Sequence, residues 1–175
     1  MNLLALSGSL RDGSFNIMAL RALQTLAPEG VALVLFEGTG TLPHFNLDVE
    51  MHALPDMVAD FRRQVAEAAG LVIACPEYAH SIPGTFKNAL DWLVGMPDFP
   101  GKPVMLINTA PRASHAQAAL REVLATMSAR LVPEACVTVD LREPDAPERL
   151  QAGLAAFLRA CAPSAAQAPA PAPLG

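Results

Sequence analysis

The chain alternates short apolar runs with segments of helical periodicity, and this alternation is its strongest structural signal. The apolar runs are predicted as strands, at Leu3–Ser7, Val31–Phe36, Leu71–Cys75, Val104–Asn108 and Cys136–Val139. The amphipathic segments that follow them are predicted as helices, at Phe15–Leu26, Pro55–Ala69, Thr85–Val94, Ala116–Ala129 and Pro147–Ala160. The central runs are apolar throughout, which is typical of strands that are covered on both faces.

Strict alternation of strands and helices predicts an α/β protein, with a parallel sheet between two helical layers. The number of units favours a five-stranded, flavodoxin-like sheet of order 2-1-3-4-5 over a six-stranded dinucleotide fold. The length of 175 residues predicts one domain over 1–162, followed by a flexible Ala/Pro-rich tail over 163–175. The segment Glu37–Leu54 has no periodicity, and we predict a functional loop there rather than an element.

Composition and charge exclude several classes of protein. With 17 acidic against 12 basic side chains and 5% aromatic residues, the chain lacks the features of a nucleic-acid-binding surface. It has neither an apolar run of membrane-spanning length nor a leader-like start, so we expect no membrane partner and a cytoplasmic location. The 3 cysteines are far apart and the 4 histidines lack ligand spacing, so neither disulfides nor a metal site are expected.

In the order 2-1-3-4-5, ligands bind where strands one and three end, and the first loop there has the composition of an anion site. Residues 7–16 read S-G-S-L-R-D-G-S-F-N and lead into a predicted helix, whose N-terminus attracts anions. Arg11 can grip phosphate oxygens, while Ser9, Ser14 and Asn16 add neutral donors. An ordinary turn capped by Ser14 is the alternative, but it explains neither Arg11 nor Ser9.

The details of this loop narrow the choice of anion. Gly8 and Gly13 have P-loop spacing, but Ser14 and Phe15 stand where a triphosphate site requires Lys and Ser or Thr. No G-x-G-x-x-G pattern is present, and Glu37 alone does not make a dinucleotide site. The loop also lacks a cysteine nucleophile. Of the anions considered, the one that remains as a ligand for this loop is a terminal phosphate monoester with a bulky group attached.

The loop after the third strand identifies a family. Residues 76–92 read P-E-Y-A-H-S-I-P-G-T-F-K-N-A-L-D-W. Together with G-S-L-R and S-x-N in the first loop, this segment resembles the NADPH-dependent FMN reductase family, which includes quinone, chromate and azo-dye reductases. The resemblance runs in register from about Leu3 to Val132. It implies bound FMN, NADPH or NADH as hydride donor, a small-molecule electron acceptor, and a homodimer or homotetramer with the flavin near the interface.

The resemblance also implies roles for individual residues. By this resemblance the phosphate is held by Ser9, Arg11, Ser14 and Asn16, beside Phe15. The flavin ring site is formed by Pro76, Glu77, Tyr78, Ala79 and Ser81, with Thr109 approaching from the fourth strand. Glu77 and Tyr78 are candidates for orienting roles, and no catalytic nucleophile or metal is expected because the flavin carries the chemistry.

Two departures from the family pattern concern the flavin site. Ala79 replaces an asparagine, which removes a side-chain amide and is expected to weaken or retune FMN binding without abolishing it. The loop Thr109–His115 contains no glycine where the family is glycine-rich, which puts close backbone approach to the flavin in question. It adds a cation, Arg112, with reduced flavin or a nicotinamide phosphate as candidate partners.

Some motif residues have simpler structural interpretations. Trp92 and Leu93 follow a helical period and are expected in the core or at a subunit interface. Lys87 and Asp91 have the spacing of a surface pair, and Asn88 has the character of a hydrogen-bonding partner for a neighbouring loop. His80 is expected to face solvent or an interface, with proton donation as the less favoured alternative.

Two functions compete with the oxidoreductase interpretation. One is a one-electron flavoprotein carrier without a nicotinamide site. The other is a degenerate family member with a binding or regulatory role, for which Ala79 and the altered fourth loop are the support.

Overall fold

A computed structural model describes residues 1–162 of the protein, so the tail predicted at 163–175 lies outside the described residues. The strands are β1 Asn2–Ser7, β2 Ala32–Phe36, β3 Gly70–Ala74, β4 Pro103–Asn108, β5 Arg130–Leu131 and β6 Val137–Thr138. The helices are α1 Phe15–Leu26, α2 Leu47–His52, α3 Asp56–Glu67, α4 Gly84–Asp91, α5 His115–Thr126 and α6 Ala146–Cys161. Within the described residues, no helix combines the length and apolar character needed to cross a membrane.

The strands form one parallel sheet in the order β2-β1-β3-β4-β5, which confirms the predicted order. The fifth predicted strand, Cys136–Val139, was only partly right. Its place beside β4 is taken by two short strands, with β5 pairing at the start of β4 and β6 at its end. A 3-10 turn at Pro133–Ala135 separates them, because proline has no N–H to give to a continuous ladder.

Alternate residues of the central strands face two separate apolar layers. On one face Leu71 and Ile73 pack with the layer that contains α3, α4 and α5. On the other face Val72 and Ala74 pack with α1 and α6. All five residues of β3 are buried, as expected for a strand covered on both sides. The predicted three-layer α/β architecture is therefore confirmed.

The segment Glu37–Leu54 is not an element-free loop, and that prediction was wrong. It contains a 3-10 turn at Gly38–Gly40 and the short helix α2. It is held to α4 by Asn88, whose Oδ1 accepts from the Phe45 N–H at 2.7 Å, and by Trp92, whose Nε1 donates to the Pro43 carbonyl at 2.7 Å. The segment is thus a packed connection, and its order comes from contacts that are distant in sequence.

The second half of the long sequence motif therefore has a structural role. Trp92 and Leu93 lie in the core, as expected. Lys87 and Asp91 form the expected ion pair along α4, and Asn88 binds the neighbouring segment. Glu50 of α2 pairs with Arg62 of α3, which donates its Nε proton to the Trp92 carbonyl at 2.7 Å. These contacts stabilise the fold around the site without entering it.

Candidate functional site

Three loops meet at the carboxyl edge of the sheet and enclose a cleft of about 420 Å³. They follow β1, β3 and β4, and they meet here because parallel strands that point the same way end at one edge. The cleft is lined by Ser9, Arg11, Ser14, Phe15, Asn16, Pro76, Glu77, Tyr78, Thr109, Ala110 and Ala113. All predicted site residues are in this lining except Ala79 and Ser81, which belong to the turn beyond Tyr78.

The first loop ends in a capped helix N-terminus. Ser14 is the N-cap of α1, and its hydroxyl accepts from the Asn16 N–H at 3.2 Å, so the capping interpretation holds for this residue. The amides of Phe15 and Ile17 have no acceptor within the helix, since they lie in its first turn. Arg11 is exposed beside them and makes no ion pair with any carboxylate of residues 1–162. Cation and amides together form an anion-binding surface.

Hydrogen bonds among polar side chains hold the first loop in shape and link it to the fourth strand. The Ser7 hydroxyl donates to the Ser9 carbonyl at 3.0 Å and accepts from the Ser9 N–H at 3.1 Å. Thr109 Oγ1 donates to Asn16 Oδ1 at 3.2 Å, which connects the fourth strand to α1. Asn16 is thus a link between elements as well as a lining residue. The part played by Ser7 was missed, because a serine at the end of an apolar strand carries no signal of its partner.

The first loop contacts the loop that follows β3, called the third loop, at Gly8. A Cβ at this position would lie 2.8 Å from Cys75 Sγ and 3.0 Å from Pro76 Cδ, so only glycine permits this approach. Cys75 itself is buried, and that burial raises its thiol pKa to about 12. The thiol therefore stays protonated at neutral pH and is no nucleophile, in line with its expected role as a small apolar residue.

The third loop forms a tight hairpin at its tip. Tyr78 and Ser81 exchange two backbone hydrogen bonds of 3.0 Å each. The two residues between them both have positive φ, +49° at Ala79 and +59° at His80, as a type I′ turn requires. Asparagine is favoured at such positions, which gives the family's asparagine a backbone reason independent of any flavin contact. Ala79 therefore stands at a turn position where the left-handed backbone favours asparagine.

The fourth loop needs no glycine. Residues 109–114 contain no positive φ, so the absence of glycine does not change the backbone that they can adopt. Asn108, buried at the end of β4, organises the loop by accepting from the Ala110 N–H at 3.0 Å and donating to the Ala113 carbonyl at 3.0 Å. Thr109, Ala110 and Ala113 of this loop line the cleft, so its alanine side chains lie on the cleft surface where the family pattern has glycine. Arg112 lies exposed nearby.

The cleft suits a phosphorylated ligand with a flat ring. One end offers the Arg11 guanidinium and free helix amides, which match a terminal phosphate. The other end is bounded by the Pro76–Tyr78 backbone and the Tyr78 ring. The side chains of Asn16 and Thr109, which bond each other at 3.2 Å, add neutral polar groups to the lining that suit a hydroxylated linker. The charge and polarity of the lining thus agree with the chemistry of FMN.

Fold and cleft together define an α/β protein that binds a phosphorylated cofactor at the switch point of a parallel sheet. The sequence profile of the NADPH-dependent FMN reductase family matches residues 1–143, and the chain belongs to this family. It is 35% identical over 138 residues to a quinone reductase of Escherichia coli strain K12, covering 75% of this chain and 73% of that protein. It is 38% identical over 147 residues to a 2-hydroxy-1,4-benzoquinone reductase of a Burkholderia species, covering 79% of each.

A solved structure shares the fold. FerB, a flavoenzyme NAD(P)H:(acceptor) oxidoreductase from Paracoccus denitrificans, superposes with a TM-score of 0.78 at 29% identity, covering 91% of this chain and 96% of that one. Family and relatives confirm the expected oxidoreductase class and the expected cofactors, FMN and NAD(P)H. They favour an enzyme over the electron-carrier and regulatory alternatives.

Proposed function

We propose that the protein is an FMN-dependent NAD(P)H oxidoreductase whose acceptor is a quinone or a similarly flat small molecule. The observation that carries the proposal is the meeting of the anion-binding first loop and the Pro76–Tyr78 segment in one cleft. Membership of the FMN reductase family supports the cofactor, and two relatives named as quinone reductases support the acceptor class.

In this proposal the first loop binds the FMN phosphate. Arg11 supplies the positive charge, the Phe15 and Ile17 amides supply donors, and the Ser9 hydroxyl adds a neutral contact. Ser14 and Asn16 line the same end, but their side chains also bond each other at 3.4 Å, so they contribute by holding the loop in shape. The dipole of α1 adds to the attraction for a dianion.

The third loop binds the flavin ring edge. The Tyr78 N–H is occupied by the Ser81 carbonyl, so the Glu77 amide is the donor that we assign to the ring. An amide N–H fixed at this edge stabilises negative charge on the ring. This is the electrostatic contribution that we assign to the protein. Bound FMN would supply the hydride and electron-transfer chemistry, and the segment 76–78 would hold its ring edge.

Exposed side chains at the mouth of the cleft shape the space for both substrates. Phe15 and Tyr78 are 42% and 52% exposed, and they offer aromatic surface to a nicotinamide or quinone ring. Arg112 lies on the rim of the fourth loop and is a candidate partner for a nicotinamide phosphate. In this proposal the protein orients the acceptor and does not react with it. The shape of the cleft mouth therefore determines which acceptors are used.

We also propose a homodimer or homotetramer, as the family resemblance implies. Large apolar side chains are exposed near α2 and the end of α4, at Leu47, Met51 and Val94, and such patches are typical of subunit contacts. Light scattering of the purified protein measures the assembly directly, and a monomer at micromolar concentration contradicts this part of the proposal.

Flavin binding and turnover test the function. The protein is titrated with FMN while flavin fluorescence is followed, and NADPH and NADH oxidation are then measured with a benzoquinone acceptor. The expected result is stoichiometric FMN binding and quinone-dependent oxidation of at least one nicotinamide. Failure to bind FMN refutes the cofactor site, whereas FMN binding without nicotinamide oxidation favours the electron carrier.

A further inference from the structure

Helix α5 begins without a capping group of its own. Among residues 1–162, the side chain of its N-cap, Ser114, makes no capping hydrogen bond, and the first turn of the helix contains no acidic residue. The missing acceptor comes from the third loop instead, because Glu77 Oε2 accepts from the Ala116 N–H at 3.0 Å. A carboxylate at this place satisfies a free amide and interacts favourably with the helix dipole.

A second contact spans the same gap. The rings of His80 and His115 stack with their centroids 4.3 Å apart and their planes 14° from parallel. His80 stands at the tip of the hairpin in a left-handed conformation, and His115 is the first residue of α5. The hairpin and the helix are therefore joined at two points, one by a charged hydrogen bond and one by ring stacking. We call these three side chains, Glu77, His80 and His115, the clasp.

The clasp joins two walls of the cleft. On one side the hairpin continues directly from Pro76 and Tyr78, which line the cleft. On the other side α5 continues directly from the fourth loop, whose Ala110 and Ala113 also line the cleft. Asn108 holds the fourth loop to the end of β4, and the clasp holds the hairpin to the start of α5. The clasp therefore constrains how far the hairpin can move from the fourth loop.

We propose that Glu77, His80 and His115 are positioning residues, which set the width of the cleft and so pre-form the space for the flavin ring. This proposal rests on the proposed function. It assigns the Glu77 carboxylate to α5 rather than to the flavin, while the Glu77 amide keeps its place at the ring edge. The clasp acts on the ring end of the cleft and leaves the phosphate end untouched.

The test uses four variants of the clasp and one control variant, all made in the full chain. Glu77→Ala removes the cap, and Glu77→Gln keeps an oxygen acceptor in the same place. His80→Asn removes the ring but suits the left-handed turn, and His115→Ala removes the ring from the helix side. His44→Asn is the matched control, because His44 is exposed and lies outside the cleft lining.

Amide hydrogen exchange of the flavin-free protein measures the clasp itself. Glu77→Ala is expected to speed exchange over residues 113–118 by about tenfold, with a smaller effect of the two histidine variants and none of His44→Asn. Glu77→Gln is expected to stay within about threefold of the wild type. Unchanged exchange over 113–118 in Glu77→Ala overturns the clasp, whether or not the protein binds flavin.

Flavin titrations measure the positioning role. Glu77→Ala is expected to raise the Kd of FMN and of riboflavin by the same factor, about three- to tenfold, because the ring is common to both ligands. Glu77→Gln restores most of the affinity. Faster exchange with unchanged Kd for both ligands overturns the positioning role, and so does a loss confined to FMN. A wild type that binds neither ligand refutes the proposed function and the positioning role together, while exchange still decides the clasp.

Discussion

Replacing Ala79 by asparagine is expected to stabilise the protein, although this residue touches little. The Ala79 backbone has φ +49°, and holding an L-residue with a Cβ in the left-handed region costs about 1 kcal/mol. Asparagine tolerates this region, and the side chain at 79 is exposed, so it has room. We therefore expect Ala79→Asn to raise the free energy of unfolding by about 1 kcal/mol, which for a chain of this size is about 2–4 °C in Tm.

A glycine variant at position 79 distinguishes the effect of removing backbone strain from the effect of the asparagine side chain. Ala79→Gly removes the left-handed penalty as well, but it adds about 0.5–1 kcal/mol of unfolded-chain entropy, so its net gain is smaller. Ser128→Asn serves as a remote control, since Ser128 also has positive φ, +61°, and lies at the amino edge of the sheet before β5. It is expected to gain stability in the same way without any change in FMN affinity.

Urea denaturation and FMN titration of the same variants give the decisive readouts. Because residue 79 does not line the cleft, we expect the Kd of FMN for Ala79→Asn and the Kd of FMN for Ala79→Gly to agree with each other within about twofold. A lower stability of Ala79→Asn than of the wild type refutes the turn argument. A tightening of FMN by more than about tenfold in Ala79→Asn alone shows that an amide at 79 contacts the flavin.

Three further predictions concern the anion-binding first loop, helix α4 and the buried thiol of Cys75. Arg11→Ala is expected to raise the Kd of FMN at least about tenfold and to leave riboflavin unaffected, with Arg21→Ala as control; equal losses for both ligands contradict a phosphate contact. Asn88→Ala leaves the Phe45 N–H without its acceptor, so we expect the free energy of unfolding, measured by urea denaturation, to fall by about 2 kcal/mol. A decrease of less than about 0.5 kcal/mol contradicts this prediction. Since burial raises the pKa of Cys75 to about 12, peptide mapping after alkylation at pH 8 is expected to find this thiol unlabelled until the protein unfolds; rapid native labelling contradicts it.

Local patterns were enough to predict most of the fold. The β3 strand was predicted because every residue is apolar, and α1 was predicted with its observed bounds because its apolar residues recur at helical spacing after Ser14. The fifth strand was predicted less accurately, because it consists of two short pieces on either side of Pro133, and within residues 1–162 each piece pairs with β4 alone. Such pairing depends on a partner far away in the chain, which periodicity does not reveal.

The cleft residues were predictable for a different reason. Arg11, Pro76 and Tyr78 occur in loops directly after strands, and a parallel sheet brings the ends of its strands together. The partners of those residues were not predictable in the same way. Asn108 looked like the end of a strand, yet it organises the whole fourth loop through two hydrogen bonds.

The amino-acid sequence by itself determined the layered fold, the family and the loops that form the cleft, because these follow from local periodicity and from motifs read along the chain. The tertiary structure alone decided how neighbouring loops are held. It placed Glu77 against the start of α5 and set Asn88 and Trp92 against residues 43–45. These bonds join groups that are 39 to 49 residues apart in the chain, so their existence depends on the relative placement of whole elements.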